Sequence, residues 1–332
     1  MLFVSGVVSP ALTDATVPPL PFIASAPARV DLAGGWTDVP PYATEVGGAV
    51  CNVAIDMRAL ATVTPASMSI APSEALLRAA WQRAGEPAVT IAVKSAIPVG
   101  SGLGGSSAAG VALAAALAAH GGRALDPHDL AELSRSTEAE TLGLPGGCQD
   151  HYAAAFGGAL LLTCRRQTIV HPVLLSDECI TEFERCAMIA YTGASRMSAT
   201  TITAVLEAWR AGEAQTCESL QAMAALAPAM ANALAAADLE ELGRLVSRQW
   251  TAQRALHPTI TTPAIEQIVQ VCVSAGATGV KALGASGGGC VLVIARGDRI
   301  KAVRDALAAH ASILPLRVSR SGVQAHAGTG GS

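Results

Sequence analysis

The segment Pro98-Val-Gly-Ser-Gly-Leu-Gly-Gly-Ser-Ser107 constrains this chain more than any other part of it. Before it lies Val89–Ile97, a β-branched run ended by Pro98 that predicts a strand. After it lies Ala108–His120, almost pure Ala, Val and Leu, which predicts a buried helix. A glycine-rich turn from strand to helix presents main-chain N–H groups at a helix N-terminus, where the helix dipole adds to their pull on an anion. Glycines let the backbone approach a phosphate that side chains would hold away. Ser106 and Ser107 add hydroxyls that suit a phosphate oxygen or a Mg²⁺ ligand sphere.

The same letters partly fit two other frames. Gly100-x-Gly102-x-x-Gly105, with Asp126 downstream, matches a dinucleotide fingerprint and would make the protein an NAD-dependent dehydrogenase. That fingerprint opens a βαβ unit, whereas here several strands come first. Gly100 and Gly105 also fit the P-loop frame, but Ser106 stands where its lysine must be. A second cluster, Gly284-Ala-Ser-Gly-Gly-Gly289, reads alone as a strand-entry loop. Beside the first it implies two backbone surfaces closing on one phosphate-bearing ligand.

Composition removes several classes. The chain has 332 residues, 51% of them hydrophobic and 14% charged, which is too apolar for disorder and long enough for two domains. With 22 Lys+Arg against 26 Asp+Glu there is no basic surplus for a nucleic-acid backbone. No apolar run reaches the about 20 residues that span a bilayer, and no Lys or Arg precedes Arg29 to start a secretory signal. The eight cysteines are scattered, without a CxxC pair, and read as free thiols of a cytoplasmic protein.

Residues 1–23 read as a loose extension, 24–185 as a first domain, 186–325 as a second and 326–332 as a flexible tail. Strands are expected at Ala49–Ile55, Leu60–Val63 and Ala159–Thr163, and a helix at Pro127–Leu142 behind Asp126 as its cap. The second half is more helical: Ser198–Ala211, Ala214–Ala236 with a break at Pro228, Leu239–Ala255 and Thr262–Ala275. Strands Gly279–Ala282 and Cys290–Ala295, a helix Asp298–Ala309 and a last strand Ser312–Val318 complete it.

Several side chains could carry chemistry. Asp38 lies in a loop fixed by glycines and prolines, where an Asx turn is the simpler reading. Glu138 and Glu140 are two apart and so do not share a helical face; Glu140 reads as solvated. Asp150 is a lone acid in an apolar, glycine-flanked stretch, a placement that costs free energy unless the carboxylate is paired or used. His151 beside it admits an acid–base role or a purely structural one. No Gly-x-Ser-x-Gly elbow supports a hydrolase.

Ala26-Pro-Ala-Arg-Val-Asp-Leu-Ala-Gly-Gly-Trp-Thr-Asp38 resembles the first motif of the GHMP kinases. Pro98–Ala108 resembles their phosphate-binding second motif and Leu283-Gly-Ala-Ser-Gly-Gly-Gly289 their third, all in family order. The resemblance implies an α+β chain of two domains, ribosomal S5 domain 2-like at the N-terminus and ferredoxin-like at the C-terminus, with the site between them. It implies transfer of the ATP γ-phosphoryl group, with Mg²⁺, to a hydroxyl of a small molecule; the chain is expected to act as a monomer or homodimer. By motif position, Asp150 is then the catalytic aspartate and Arg29 its basic neighbour. Pro98, Gly100, Ser101, Gly102, Leu103, Gly104, Gly105, Ser106 and Ser107 would hold the nucleotide, and Glu138 with Ser106 or Ser107 the metal. Asp38 with Gly35, Thr37 and Gly147, Tyr191 with Arg196, and Gly287 with Gly288 would contact the acceptor.

Within the family, Gln149–Gly158 and Tyr191–Arg196 resemble the D-glycero-D-manno-heptose 7-phosphate kinases, which phosphorylate the anomeric hydroxyl. Gly34–Asp38 and Gly146–Asp150 resemble the L-fucokinases more closely. Cys148 departs from the first branch, which often has a lysine there, so Arg196 would supply the positive charge. The expectation is the heptose phosphate kinase, with a free-sugar 1-kinase as the alternative. A non-catalytic sugar- or nucleotide-binding protein is a third reading, opposed by Arg29, Glu138 and Asp150 occurring together.

Overall fold

The computed structural model describes residues 20–143, 146–193 and 199–328. Arg196, Pro145 and most of the expected extension and tail therefore lie outside the described residues.

The first sheet is built of β1 (Phe22–Ala33), β2 (Gly48–Pro65), β3 (Val89–Ser95), β4 (Ala159–Cys164) and β5 (Thr168–Val173). The short helix α1 (Tyr42–Glu45) follows β1, and α2 (Ala75–Arg83) precedes β3. Helices α3 (Gly105–His120) and α5 (Gln149–Phe156) pack against the sheet, and α4 (Pro127–Ser136) packs against both of them. Every strand pairing is antiparallel. A parallel βαβ unit is thus missing among the described residues, and the dehydrogenase reading falls with it. Asp126, its expected ribose acid, instead caps α4, accepting the Asp129 amide at 2.8 Å.

Helix α3 is apolar around nearly its whole circumference, as a helix pressed between a sheet and other helices must be. Its alanines let it lie close to β1 and β2. After α4 the chain does not continue as α-helix to Leu142. Thr137–Thr141 form one π-helical turn, a wider winding that recurs at functional sites, and Glu138 sits on it.

After α6 (Asp177–Cys186) the second sheet follows, ordered β7 (Gly279–Ala282), β8 (Cys290–Ile294), β6 (Ala187–Tyr191) and β9 (Ser312–Leu314), again antiparallel. Helices α7 (Ala199–Arg210), α8 (Ala214–Ala235), α9 (Leu239–Ala255), α10 (Pro263–Ser274) and α11 (Arg299–Ala308) complete this half. Helix α8 runs unbroken through Pro228, against expectation. An interior proline costs about 3 kcal/mol, and burial of Leu226, Ala227 and Met230 against neighbouring elements offsets it.

Three boundaries also differ. Phe22 already begins β1, so the loose extension ends sooner than residue 23. The strands expected on either side of Asp56 are one strand, β2, bent by a bulge that shifts the register between Pro27 and Ala28 opposite it. The tail placed at 326–332 begins too early. Gln324–Ala327 form β10, which returns to the first sheet and pairs with Phe22–Ser25 of β1. Arg58 fastens this returning segment, donating to Ser319 Oγ at 2.9 Å and to the Gly322 carbonyl at 2.7 Å.

The two halves meet on a dry ionic contact. Lys281 on β7 reaches Asp31 on β1, with Nζ 3.1 Å from Oδ2 and 2.8 Å from the Asp31 carbonyl, and both residues are buried. Burial pushes the Lys281 ammonium below its usual pKa, against the pull of Asp31. Removing one partner strands the other charge in the interior. Lys281→Met is expected to lower unfolding stability in urea by about 3–5 kcal/mol. Adding Asp31→Asn to it is expected to recover most of that loss, as a double-mutant cycle would read.

Candidate functional site

Asp150 stands in the first turn of α5 and Arg29 in the middle of β1. The Arg29 guanidinium grips one carboxylate oxygen, Asp150 Oδ1, through Nε at 2.7 Å and Nη2 at 2.6 Å. Its third nitrogen donates to the Gly102 carbonyl, and its own amide donates to the Leu103 carbonyl at 3.0 Å. One buried arginine therefore fixes both the glycine loop and the aspartate. Asp150 Oδ2 has no hydrogen bond among the described residues, and the carboxylate stands beside Gly104, 3.2 Å from where a Cβ would lie. The Asp150 side chain is 26% exposed, open to a ligand in the cleft.

The glycine loop runs from β3 into α3, and its residues divide by role. Ser101 and Leu103 are buried, and their carbonyls accept the Cys290 amide at 2.7 Å and the Arg29 amide. The side chains and carbonyls of these two residues are thus committed to the protein and anchor the loop. Pro98, Gly100, Gly104 and Gly105 shape the exposed rim. Helical bonding in α3 opens with Ala108 N to Gly104 O at 2.9 Å. The amides of Gly105, Ser106 and Ser107 thus have no carbonyl within the helix, and together with the dipole they form an anion cradle.

The second glycine cluster docks on the first. A Cβ on Gly102 would lie 2.6 Å from the Leu283 carbonyl, and Gly102 also has φ +73°, so no other residue fits there. Of the second cluster, Gly284 and Ala285 line the cleft. Gly287 and Gly288, the expected contacts, are buried; the Gly287 amide is taken by the Ile260 carbonyl at 2.9 Å.

A metal-compatible corner lies at the N-terminus of α3. Ser106 Oγ donates to Glu138 Oε1, while Glu138 Oε2 is 3.4 Å from His151 Nε2. Burial raises the Glu138 pKa, but the bonds from His151 and Ser106 outweigh it and hold the carboxyl below its ordinary value. The Ser107 hydroxyl faces His151 Nε2 at 3.3 Å, and His151 Nδ1 meets Ser134 Oγ at 3.0 Å. The two expected serines are therefore separated: Ser106 is exposed beside Glu138, and Ser107 is committed to His151. Both ring nitrogens of this cleft-lining histidine thus have protein partners, and Nε2 fixes the orientation of Glu138. Glu140 turns away to Arg83 at 3.2 Å. Among the described residues no cluster of three or more His, Cys, Asp or Glu is placed to hold a metal. A carboxylate and a hydroxyl fit Mg²⁺, which takes few protein ligands and fills its sphere with phosphate and water oxygens.

Beyond Asp150 a cleft of about 160 Å³ runs to Asp38, lined among others by Asp31, Gly35, Trp36 and Gln149. Asp38 Oδ2 accepts the Gln149 amide at 3.0 Å and leans on Gly147, where a Cβ would lie 1.9 Å from it. Burial pushes the Asp38 carboxyl up to about 6 against the pull of that amide, and Asp150 and Asp31 add to the rise. The Trp36 Nε1, Gln149 Oε1 and Asp31 Oδ1 atoms are buried without partners, hydrogen-bonding capacity that suits a polyol. Thr37 does not join them. Its hydroxyl donates to the Gly34 carbonyl at 2.6 Å, so it shapes the turn. Tyr191, at the end of β6, packs against the apolar core and is not among the residues lining the cleft.

Sequence reasoning did not single out Lys281, Gln249 or Gln253. Gln249 accepts the Gly34 amide at 3.3 Å and Gln253 donates to the Gly284 carbonyl at 3.0 Å, so α9 braces both loops. A lysine in the otherwise small and apolar Gly-Val-Lys-Ala of β7 was the available signal.

Comparison with known proteins agrees with this geometry. Residues 73–158 match the GHMP kinases N terminal domain and residues 230–313 the GHMP kinases C terminal domain. The chain is 27% identical over 332 residues to the L-fucokinase/L-fucose-1-P guanylyltransferase of Bacteroides fragilis, covering 84% of this chain and 35% of that one. It thus spans about a third of that fused relative. It is also 27% identical to the D-glycero-alpha-D-manno-heptose 7-phosphate kinase of Campylobacter jejuni, over 79% of this chain and 86% of that one. In structure it resembles a D-glycero-D-manno-heptose 1-phosphate kinase from Bacteroides thetaiotaomicron, with TM-score 0.74, 24% identity and coverage of 92% and 98%. No helix among the described residues is long and apolar enough to cross a membrane.

The Asp38 environment has a measurable signature. The folded carboxyl holds its proton up to about pH 6, whereas an ordinary aspartate loses it near 3.8. The folded chain therefore binds more protons between these values, and stability from this group falls as pH rises through about 6. Asp38→Asn is expected to remove that fall. Relative to the variant, the parent should lose on the order of 2–3 kcal/mol between pH 4 and 7 in urea titrations.

Proposed function

The chain belongs to the GHMP kinase family, and from that premise we propose that it transfers the ATP γ-phosphoryl group to the anomeric hydroxyl of D-glycero-D-manno-heptose 7-phosphate. A phosphotransferase acting on a sugar hydroxyl is what the family and the relatives support at the coarser level. The observation that carries the reading is the Asp150 carboxylate, clamped on one oxygen by Arg29 and free on the other, where the anion cradle meets the polar cleft.

Phosphoryl transfer requires positioning and charge neutralisation more than covalent chemistry. The amides at the start of α3 receive the terminal phosphates. Glu138 and Ser106 would hold Mg²⁺, which when bound offsets the charge of the β- and γ-phosphates. Asp150 Oδ2 takes the proton of the attacking hydroxyl as the oxygen–phosphorus bond forms. Arg29 compensates the aspartate's charge and keeps the carboxylate in one orientation. Asp38 and the unpartnered polar atoms of Gln149 and Trp36 hold the remaining hydroxyls of the acceptor.

The heptose phosphate reading is supported by the Gln149–Gly158 segment and by the Campylobacter relative. A free-sugar 1-kinase is the second reading, favoured by the first-motif sequence Gly34–Asp38 and by the Bacteroides fragilis relative at equal identity.

Two experiments test the proposal. ADP release measured across heptose 7-phosphate, mannose, fucose and galactose is expected to be fastest at limiting concentration with the heptose phosphate; preference for a free sugar selects the second reading. Asp150→Asn is expected to lower kcat by about 10²–10⁴-fold while the Kd for ATP, read by calorimetry, barely moves. Full retained turnover would remove Asp150 from the chemistry.

A further inference from the structure

Past Asp38 the first domain holds a second pocket of about 130 Å³, which shares Asp38 and Gly146 with the acceptor cleft. Its floor is Cys148 and Cys164, both buried, with Sγ atoms 3.5 Å apart. Three arginines line it: Arg135 from α4, and Arg165 and Arg166 from the turn between β4 and β5. Arg135 is matched by Glu132 at 2.8 Å, and the other Glu132 oxygen accepts the Tyr152 hydroxyl at 2.8 Å. That carboxylate is spent. Neither Arg165 nor Arg166 has a carboxylate partner among the described residues, although the Asp38 and Glu132 carboxylates line the same pocket, so two cationic side chains without an ion pair of their own reach this concavity. Arg165 lies against Gly47, with Nε 3.1 Å from where a Cβ would stand, so any larger residue there would displace it.

The position gives the ligand. An acceptor with its reacting hydroxyl at Asp150 would extend along the cleft toward Asp38 and Gly146, which the two pockets share, and would bring its far end to the mouth of the arginine pocket. Guanidinium groups suit the oxygens of a phosphate monoester, because planar forks of N–H donors match them two at a time. We propose that this pocket is an anion subsite in which Arg165 and Arg166 take the phosphate at the end of the acceptor opposite the reacting hydroxyl. The inference rests on the reading of the chain as a kinase of a phosphorylated sugar and names the residues that make that choice.

The test compares D-glycero-D-manno-heptose with and without its 7-phosphate, using the parent protein, the Arg165→Ala/Arg166→Ala variant and the corresponding double lysine variant. Both arginines are exposed, so folding should not depend on them. In the parent, the phosphorylated sugar is expected to have a KM lower by about tenfold or more. In the double alanine variant this advantage should collapse, through KM and with little change in kcat, and the lysine variant should recover part of it. Inorganic phosphate should compete with the phosphorylated acceptor in the parent and lose that effect in the alanine variant. A parent that prefers the phosphorylated sugar together with a variant that keeps the full advantage would overturn the subsite and leave the acceptor reading standing. A parent indifferent to the phosphate would overturn both.

Discussion

The site depends on what one guanidinium does in a dry place. Arg29 is 3% exposed, and its donors go to a carboxylate oxygen and to the carbonyl of a glycine. A charge so deeply placed must be compensated, and the compensating group is the residue that would take the acceptor's proton. Under the proposed function, structural necessity and chemistry would coincide in the same pair. Arginine suits the position because its rigid fork can serve Asp150 and Gly102 at once, which a lysine ammonium on a flexible stem would not do with the same fixed angles.

Around that pair the two halves of the chain are locked by contacts with almost no side chain between them. Gly102 lies against the Leu283 carbonyl, and Ser101 accepts the Cys290 amide. The Lys281–Asp31 pair closes the same seam from the other sheet. Backbone-on-backbone contact of this kind leaves little slack, so the cradle at α3 and the cleft toward Asp38 keep a fixed relation. For the proposed phosphoryl transfer, which depends on the placement of two substrates, a stiff seam would be a functional property as much as a stabilising one.

The sequence was informative where local rules dominate. The strand–glycine–helix order at Val89–His120, the Asp126 cap and the helix expected at Thr262–Ala275 follow from propensity and turn chemistry, and the structure has them all. It was least informative where partners lie far apart along the chain. Nothing near Thr37 tells that its hydroxyl is consumed by Gly34 and Ala49, or that Ser107 faces His151 while Ser106 faces Glu138. Motif position alone placed Gly287 and Gly288 in the cleft, whereas the docking of two loops turned Gly284 and Ala285 toward it. Pro228 shows the opposite failure: a strong local signal for a break was overruled by packing.

The return of β10 has a consequence for how the protein is made. Over Phe22–Ser25, β1 pairs with β2 on one side, and on its other edge its partner among the described residues is Gln324–Ala327, at the far end of the described chain. During synthesis that edge leaves the ribosome long before its partner exists, exposing unpaired backbone groups that other strands could seize. The first sheet can be finished only after nearly the whole second half has been translated. Such a long-separation closure slows folding, and it ties the quality of the first sheet to the correct completion of the neighbouring half.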